Sequence, residues 1–242
     1  MKQGEFILQE QTALTDSVYR MVLSGDTSAI TAPGQFVNIK LNGYFLRRPI
    51  SVCDYTKDSL TIIYKVIGHG TELMSTMQPG MKLDLLTGLG NGYDLAAAGK
   101  NPLLIGGGVG VPPLYHLAKR LIGKGCAVTV ILGFNTASEI FYEAEFKKLG
   151  CTVIVTTVDG SYGTKGFVIA GMDCPYSYYY ACGPEPMLKA VYTAAVTKGE
   201  MSFEERMGCG FGACMGCSCK TVTGFKRICK EGPVMKTEDI VW

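Results

Sequence analysis

Between residues 209 and 217 the chain reads Cys209-Gly-Phe-Gly-Ala-Cys214-Met-Gly-Cys217, and Cys229 follows after eleven intervening residues. Steps of four and then two residues, with a fourth thiol from farther along, have the plant-type spacing of a [2Fe-2S] centre. There, two tetrahedral irons share two sulfides and each takes two protein thiolates. The spacing predicts Cys209, Cys214, Cys217 and Cys229 as the ligands. Gly208, Gly210, Gly212 and Gly216 supply the tight turns of a loop wrapped around a compact anion, and let backbone amides approach the sulfurs. A structural zinc made from four of the five cysteines here is the competing reading. It fits less well, because zinc favours two short Cys-x-x-Cys pairs. Cys219 stays open as an alternate ligand or an ordinary small residue. Cys229 is preferred because it closes the site from a separate segment. The whole segment 201–242 is too small and glycine-rich to hold itself by apolar burial, so a bound centre is expected to staple it.

The rest of the 242-residue chain is ordinary globular material: 47% hydrophobic, 18% charged and of net charge +2, enough for one or two cores. Disorder is excluded. No stripe of Lys and Arg interleaved with aromatics points to nucleic acid, and no apolar run approaches the roughly 20 residues that cross a bilayer. Residues 1–10 are too polar for a secretory signal, so the ten cysteines read as thiols of a reducing, cytoplasmic compartment rather than as disulfides. Neither a nucleic-acid nor a membrane partner is expected.

Up to residue 98 the apolar stretches are short and β-prone: Phe6 to Leu8, Val18 to Leu23, Gln35 to Lys40, Leu60 to Ile67 and Met81 to Leu86. Turns such as Ala32-Pro33-Gly34 separate them, which predicts an N-terminal antiparallel β-barrel. At Thr15 to Leu23 the two faces are both partly apolar, and either one can be the core face. From Asn101 the pattern changes. Strand-like runs at 102–105, 126–134, 151–157 and 178–181 alternate with helix-like segments, one of them running from Pro184 to Lys198. Another is predicted to start at a Thr136/Glu139 capping box and to end near Gly150. This alternation predicts a doubly wound α/β domain with a mainly parallel sheet. The expected division is 1–98 for the barrel, 99–200 for the α/β domain and 201–242 for a small C-terminal cluster domain.

Two glycine turns fall at strand ends of the α/β region. Gly106-Gly107-Gly108-Val-Gly110 lies between a strand and a helix, and Cys182-Gly183-Pro184 ends a later strand. Paired in this way they suggest a dinucleotide crevice, although neither is the strict Rossmann fingerprint. The turn Gly133-Phe-Asn-Thr136 offers no cation for an adenosine 2′-phosphate, which favours NAD over NADP. In the barrel, Arg48 has a donor fork suited to a pyrophosphate, and Ser51 carries a small hydroxyl. The loop from Gly68 through Gly70 and Thr71, with Tyr64 and Lys65 before it, is placed to line the same cradle. His69 and His116 are expected to be a loop residue and a helix-face residue with no catalytic role.

With these motifs in this order, the chain resembles the electron-transfer subunits of type B dihydroorotate dehydrogenases, members of the ferredoxin reductase superfamily. Arg48-Pro-Ile-Ser51 with Gly70-Thr71, the two glycine turns, and the cysteines with Glu231-Gly-Pro233 carry the resemblance. It implies FAD on the barrel, NAD as exchangeable acceptor on the α/β domain, and a [2Fe-2S] cluster on Cys209, Cys214, Cys217 and Cys229. By the same resemblance Arg48, Pro49, Ile50, Ser51, Ile63, Tyr64, Lys65, Gly70 and Thr71 contact FAD. Gly106, Gly107, Gly108, Gly110, Gly183 and Pro184 would contact NAD, with Cys182 as neighbour of the nicotinamide. The implied partner is an FMN-containing catalytic subunit that oxidises dihydroorotate in pyrimidine biosynthesis, in a heterotetramer of two of each.

Redox arithmetic supports the flavin independently. Nicotinamide exchanges a hydride, whereas a [2Fe-2S] centre carries single electrons, so a carrier able to do both must stand between them. Related iron-sulfur flavoprotein subunits serving NAD(P)H-ferredoxin or sulfide/polysulfide chemistry would share these motifs. A zinc-stapled, non-enzymatic binding module is the rival from a different class.

Overall fold

The computed structural model describes all residues, Met1–Trp242. Six strands, β1 (Lys2–Ala13), β2 (Val18–Ser24), β3 (Phe36–Ile39), β4 (Arg48–Tyr55), β5 (Ser59–Lys65) and β6 (Lys82–Leu89), close into an antiparallel barrel in the order β1-β2-β5-β4-β3-β6. The two-residue period of a strand sends Phe6, Leu8, Met21, Leu23, Val37, Ile39, Leu60 and Ile62 into one interior. Of the two faces of β2, the one bearing Met21 and Leu23 is therefore the core face. Val18 turns outward and joins Cys53 and Ile63 in a second core shared with the α/β region. Strand β4, which contains the Arg48-Pro-Ile-Ser51 motif, is not apparent as a strand in the sequence because Pro49 interrupts its signal. The proline is tolerated because β4 pairs with β5 only from Val52 onward. A short helix, α1 (His69–Ser75), links β5 to β6.

The second sheet begins with β7 (Pro102–Gly107), followed by α2 (Pro113–Gly123), β8 (Thr129–Phe134), α3 (Glu143–Leu149), β9 (Thr152–Thr157) and the short β10 (Thr164–Lys165). Then come β11 (Tyr178–Cys182), α4 (Glu185–Ala194) and β12 (Gly199–Ser202). Pro113 occupies the first turn of α2, where an amide hydrogen has no intrahelical partner. All these strands pair in parallel, in the order β10-β9-β8-β7-β11-β12. The strand order reverses between β7 and β11. That reversal opens a crevice at their carboxyl ends, where both glycine turns lie.

The helix expected from a Thr136/Glu139 capping box starts later. Residues 137–139 form a single 3-10 turn, and the Glu139 carboxylate accepts from the Asn135 amide (3.0 Å) and its side chain (2.9 Å). Burial of Phe141 and Tyr142 intervenes before α3 begins. The last helix is also shorter than Pro184 to Lys198 and stops at Ala194.

The tail folds onto both preceding units. A hairpin of β13 (Ser218–Thr221) and β14 (Gly224–Arg227) carries part of the cysteine segment, while β15 (Val234–Lys236) adds antiparallel to β12 and completes the second sheet as its seventh strand. Phe36, Leu86 and Leu89 on the outside of the barrel pack with Cys217, Ile228, Cys229 and Met235. The tail's shortage of apolar material is thus met partly by borrowing a barrel face. Asn91 fastens it: its Nδ2 donates to the carbonyls of Glu231 (3.2 Å) and Val234 (2.7 Å), and its Oδ1 accepts from the Val234 amide (2.9 Å). At roughly 1 kcal/mol per bond, plus the cost of stranding buried partners, Asn91→Ala is expected to loosen the tail by about 2–4 kcal/mol. Limited proteolysis of the 231–242 segment measures this.

Barrel and α/β unit share polar contacts as well as a core. Asp54 on β4 pairs with His116 Nδ1 (2.6 Å) and Lys119 Nζ (2.9 Å) on α2, and the His116 ring stacks on Tyr55. His116 is thus a helix-face residue of α2, buried at the interface, whereas His69, expected in a loop, is the first residue of α1. No helix is long and apolar enough to cross a membrane.

Candidate functional site

In the cysteine loop the four predicted ligands stand as two pairs. Cys209 Sγ accepts from the amides of Phe211 (3.5 Å), Ala213 (3.2 Å) and Cys214 (3.5 Å), and the Cys214 thiol lies beside it. Burial works against ionisation of Cys209, but these donors outweigh it and pull the thiol below its ordinary value. Cys217 Sγ accepts from the Cys229 amide (3.4 Å), and burial followed by the Cys217 thiol pushes Cys229 upward. No three His, Cys, Asp or Glu side chains converge tightly enough to hold one ion. Cys219 sits apart on β13, opposite Lys226, with its thiol raised chiefly by burial.

Two pairs of thiols, one with three amides aimed at its sulfur, suit a two-iron centre in which each iron takes two thiolates. A lone zinc needs four sulfurs around one point. Gly208 and Gly216 lie against Cys214 Sγ, where an added Cβ would stand 3.3 and 3.6 Å away. Arg227 clamps the loop. It is held by Glu231 through Nε (2.9 Å) and Nη2, and its Nη1 donates to the Gly212 carbonyl (2.6 Å). Lys226 is likewise paired, with Asp239.

On the barrel, Arg48 leaves β4 and lays its guanidinium over Gly70. A Cβ at Gly70 would stand 2.2 Å from Arg48 Nε, so the glycine makes the room the arginine occupies. Tyr44 stacks on the same guanidinium at 4.7 Å, and Nη1 donates to the Leu46 carbonyl (2.6 Å). Thr71 Oγ1 accepts from the amides of Ile67 (3.0 Å) and Gly68 (3.3 Å), locking the loop into α1. A donor fork, a glycine-lined approach and a fixed loop suit the pyrophosphate of FAD. Pro49 and Ser51 stand opposite Asn38 and Phe36 and share their outward face, while Ile50 packs on the barrel interior. On β5, Ile63 lies in the shared core, Lys65 is exposed, and the Tyr64 ring is buried in the barrel beside Gln11. Any cofactor contact from Tyr64 therefore passes through its main chain.

The two glycine turns meet in the crevice. A Cβ on Gly110 would lie 2.1 Å from the Cys182 carbonyl oxygen, and one on Gly107 would lie 2.4 Å from Met187 Sδ. Gly106 packs against Val111, whereas Gly108, at φ 53°, faces open space. Gly183 takes φ 159° and touches Met187. Glycine is thus needed where the turns touch, and Gly108 leaves open space beside them. The Cys182 thiol lies beside Ser202 and Tyr93, and burial pushes it up to about 12, so it is neutral at physiological pH.

On the neighbouring strand β12, opposite Tyr180, Glu200 is 3% exposed and accepts from the Asp94 amide (2.9 Å). Burial raises its carboxyl above 4.5, outweighing that bond, which favours the ionised form. A raised carboxyl confers stability that is full below the unfolded value and is lost as pH rises through the folded one. Glu200→Gln is therefore expected to flatten the stability profile above pH 4.5 and to raise the melting temperature at neutral pH, as thermal unfolding across pH will show.

Sequence reasoning missed Asn38, Asn91 and Glu200 as site-shaping residues. The one signal for Asn38 is a carboxamide in the middle of the apolar run Phe36–Ile39. The polar groups of the others gain their meaning only from partners far away in the chain.

A barrel with an arginine-glycine cradle, a parallel sheet with paired glycine turns, and a cysteine loop packed on both define a ferredoxin-reductase-like, iron-sulfur flavoprotein oxidoreductase. Residues 204–241 match the iron-sulfur cluster binding domain of dihydroorotate dehydrogenase B, and residues 104–193 match the oxidoreductase NAD-binding domain. The chain is 45% identical, over its whole length and 99% of the relative, to the electron transfer subunit of dihydroorotate dehydrogenase B (NAD(+)) of Geobacillus sp. (strain WCH70). It is 42% identical to the corresponding subunit of Fusobacterium nucleatum, covering 99% of each. Among solved structures, a chain from the NADH-dependent reduced ferredoxin-NADP oxidoreductase superposes with a TM-score of 0.88 at 28% identity, over 98% of this chain and 90% of that one. The chain belongs to the electron-transfer subunits of NAD-dependent dihydroorotate dehydrogenase B. Its role is electron transfer toward NAD+ in pyrimidine biosynthesis, in association with a catalytic subunit.

Proposed function

We propose that the chain carries electrons from an FMN-containing catalytic partner, which oxidises dihydroorotate, in a cytoplasmic heterotetramer of two copies of each subunit. The observation that carries this reading is the packing of Cys217 and Cys229 on Phe36 of β3, the strand that pairs with the Arg48-Pro-Ile-Ser51 motif of β4. The reading divides the chain into an FAD barrel at 1–98, an NAD unit at 99–200 and a cluster unit at 201–242.

Cys209 and Cys214 would hold one iron, and Cys217 and Cys229 the other. Arg48 and Gly70 would hold the FAD pyrophosphate. Pro49, Ile50, Ser51, Ile63, Tyr64, Lys65 and Thr71 would shape the rest of its seat, partly by main-chain contact. Gly106, Gly107, Gly108, Gly110, Gly183 and Pro184 would take NAD, with the neutral Cys182 thiol at the nicotinamide. When bound, FAD supplies the exchange between single electrons on the iron side and a hydride on the nicotinamide side. The chain's own work is to orient these groups and keep water from the hydride path. No acid or base from His69 or His116 is required.

Anaerobic purification of the native assembly tests this reading. The expected result is one FAD with about two irons and two sulfides per chain, an FMN-bearing partner and dihydroorotate:NAD+ activity. Zinc without sulfide or flavin would overturn it, and a ferredoxin-coupled complex would reassign the partner.

A further inference from the structure

We propose that Asn38 is a positioning residue for electron transfer, fixing the cluster loop against the barrel strand that borders the flavin. The proposal rests on the reading above that Cys209 is a cluster ligand and that Pro49 and Ser51 border FAD.

Asn38 is 1% exposed on β3 and points away from the barrel interior. Its Nδ2 donates to the main-chain carbonyl of Cys209 (3.2 Å). Cross-strand, it stands directly opposite Pro49. One residue therefore joins the first cluster ligand, through its side chain, to the strand pairing of the flavin motif, across 171 residues of sequence separation from Cys209. The loop is shaped to receive it. Gly210 has φ 79°, and a Cβ there would lie 2.4 Å from Asn38 Nδ2, so a side chain at 210 and the amide cannot both be accommodated.

The strand end of the bridge is held as well. Arg47 Nη1 donates to the Asn38 carbonyl (3.3 Å) and to Asp84 Oδ1 (3.0 Å), fixing β3 against β6. Asn38 Oδ1 is buried with no partner in the chain. Burying a carboxamide with one unpaired acceptor is unfavourable, and an apolar residue would fill the same space without that penalty. The residue type therefore makes sense through the donor it aims at Cys209. Transfer of a single electron falls steeply with separation, so a loop that slid on the barrel would change the rate with every ligand still in place.

The test uses the full chain, purified anaerobically with FAD and cluster, in wild-type, Asn38→Leu and Asn38→Asp forms. The leucine keeps the volume without the donor, and the aspartate keeps the shape with an acceptor in its place. Iron, sulfide and FAD are counted, the EPR spectrum of the reduced cluster is recorded, and rapid freezing follows cluster reduction after mixing with NADH. The expected result is wild-type cofactor content, a shifted EPR signature and cluster reduction slowed at least about tenfold in both variants. An unchanged spectrum and rate in either folded variant overturns the proposal. A slowing that only tracks lost iron or FAD overturns it too, because that is a purely structural role. If Asn38→Leu does not fold, Asn38→Asp alone decides by the same criteria. Wild-type protein lacking iron, sulfide or FAD would instead sink the underlying cofactor reading.

Discussion

Cys214→Ser is expected to strip the iron-sulfur centre and to cut electron delivery from the catalytic partner to NAD+ by at least about 100-fold, while FAD stays in the barrel. The asymmetry follows from where the residue sits. Cys214 is exposed and contributes to no apolar core, so its loss leaves no cavity. Its thiol pairs with that of Cys209, and serine cannot supply an equivalent soft ligand. The tail should stay docked, because β15 lies in the second sheet and Asn91 still holds residues 231–234. NADH-to-dye transfer, which needs only the crevice and FAD, should persist in the variant. The measurement pairs that assay with the dihydroorotate:NAD+ rate of the reconstituted complex. Equal loss of both rates with FAD still bound would reject the order of carriers.

The division of labour along the chain is legible in the sequence because each part leaves a local mark. The cysteine spacing, the strand-glycine-helix turn at 102–113 and the period-two runs before residue 98 all report on neighbours within a few residues. What the sequence hides is contact between parts. Asn38 and Cys209, Asn91 and Val234, and Arg48 and Gly70 make their arguments only after folding. Strand β4 was masked by Pro49, whose penalty vanishes because β5 starts pairing later. The Thr136/Glu139 box failed for a related reason. Its residues form a capping pattern, but the burial of Phe141 and Tyr142 in the shared core decides where the helix begins. The cysteine tail shows the limit most clearly. Its composition implies that it cannot fold alone, yet only the structure shows that Phe36, Leu86 and Leu89 of the barrel complete its core. Phe36 lies on β3, the strand paired with β4, so on the proposed reading the packing that stabilises the tail also sets the distance between carriers.

Gly110→Ala is expected to lower kcat/KM for NADH by about 100-fold while FAD, iron and sulfide remain at wild-type levels. The added methyl would stand 2.1 Å from the Cys182 carbonyl oxygen, 2.4 Å from its carbon and 2.6 Å from the Gly183 nitrogen. All three are main-chain atoms, so no rotamer change relieves the clash and the two turns must move apart. Both turns end neighbouring strands, β7 and β11, whose register is fixed along the sheet, from Tyr178 opposite Pro102 to Cys182 opposite Gly106. The displacement is therefore confined to the crevice, where nicotinamide has to meet flavin in contact geometry. Gly123→Ala supplies the control. It ends α2 with nothing within 4 Å of the new methyl, and its reaction with NADH should match wild type. Stopped-flow bleaching of the flavin by NADH distinguishes the two variants. Native kinetics in Gly110→Ala would show that dinucleotide binding does not depend on the meeting of the glycine turns.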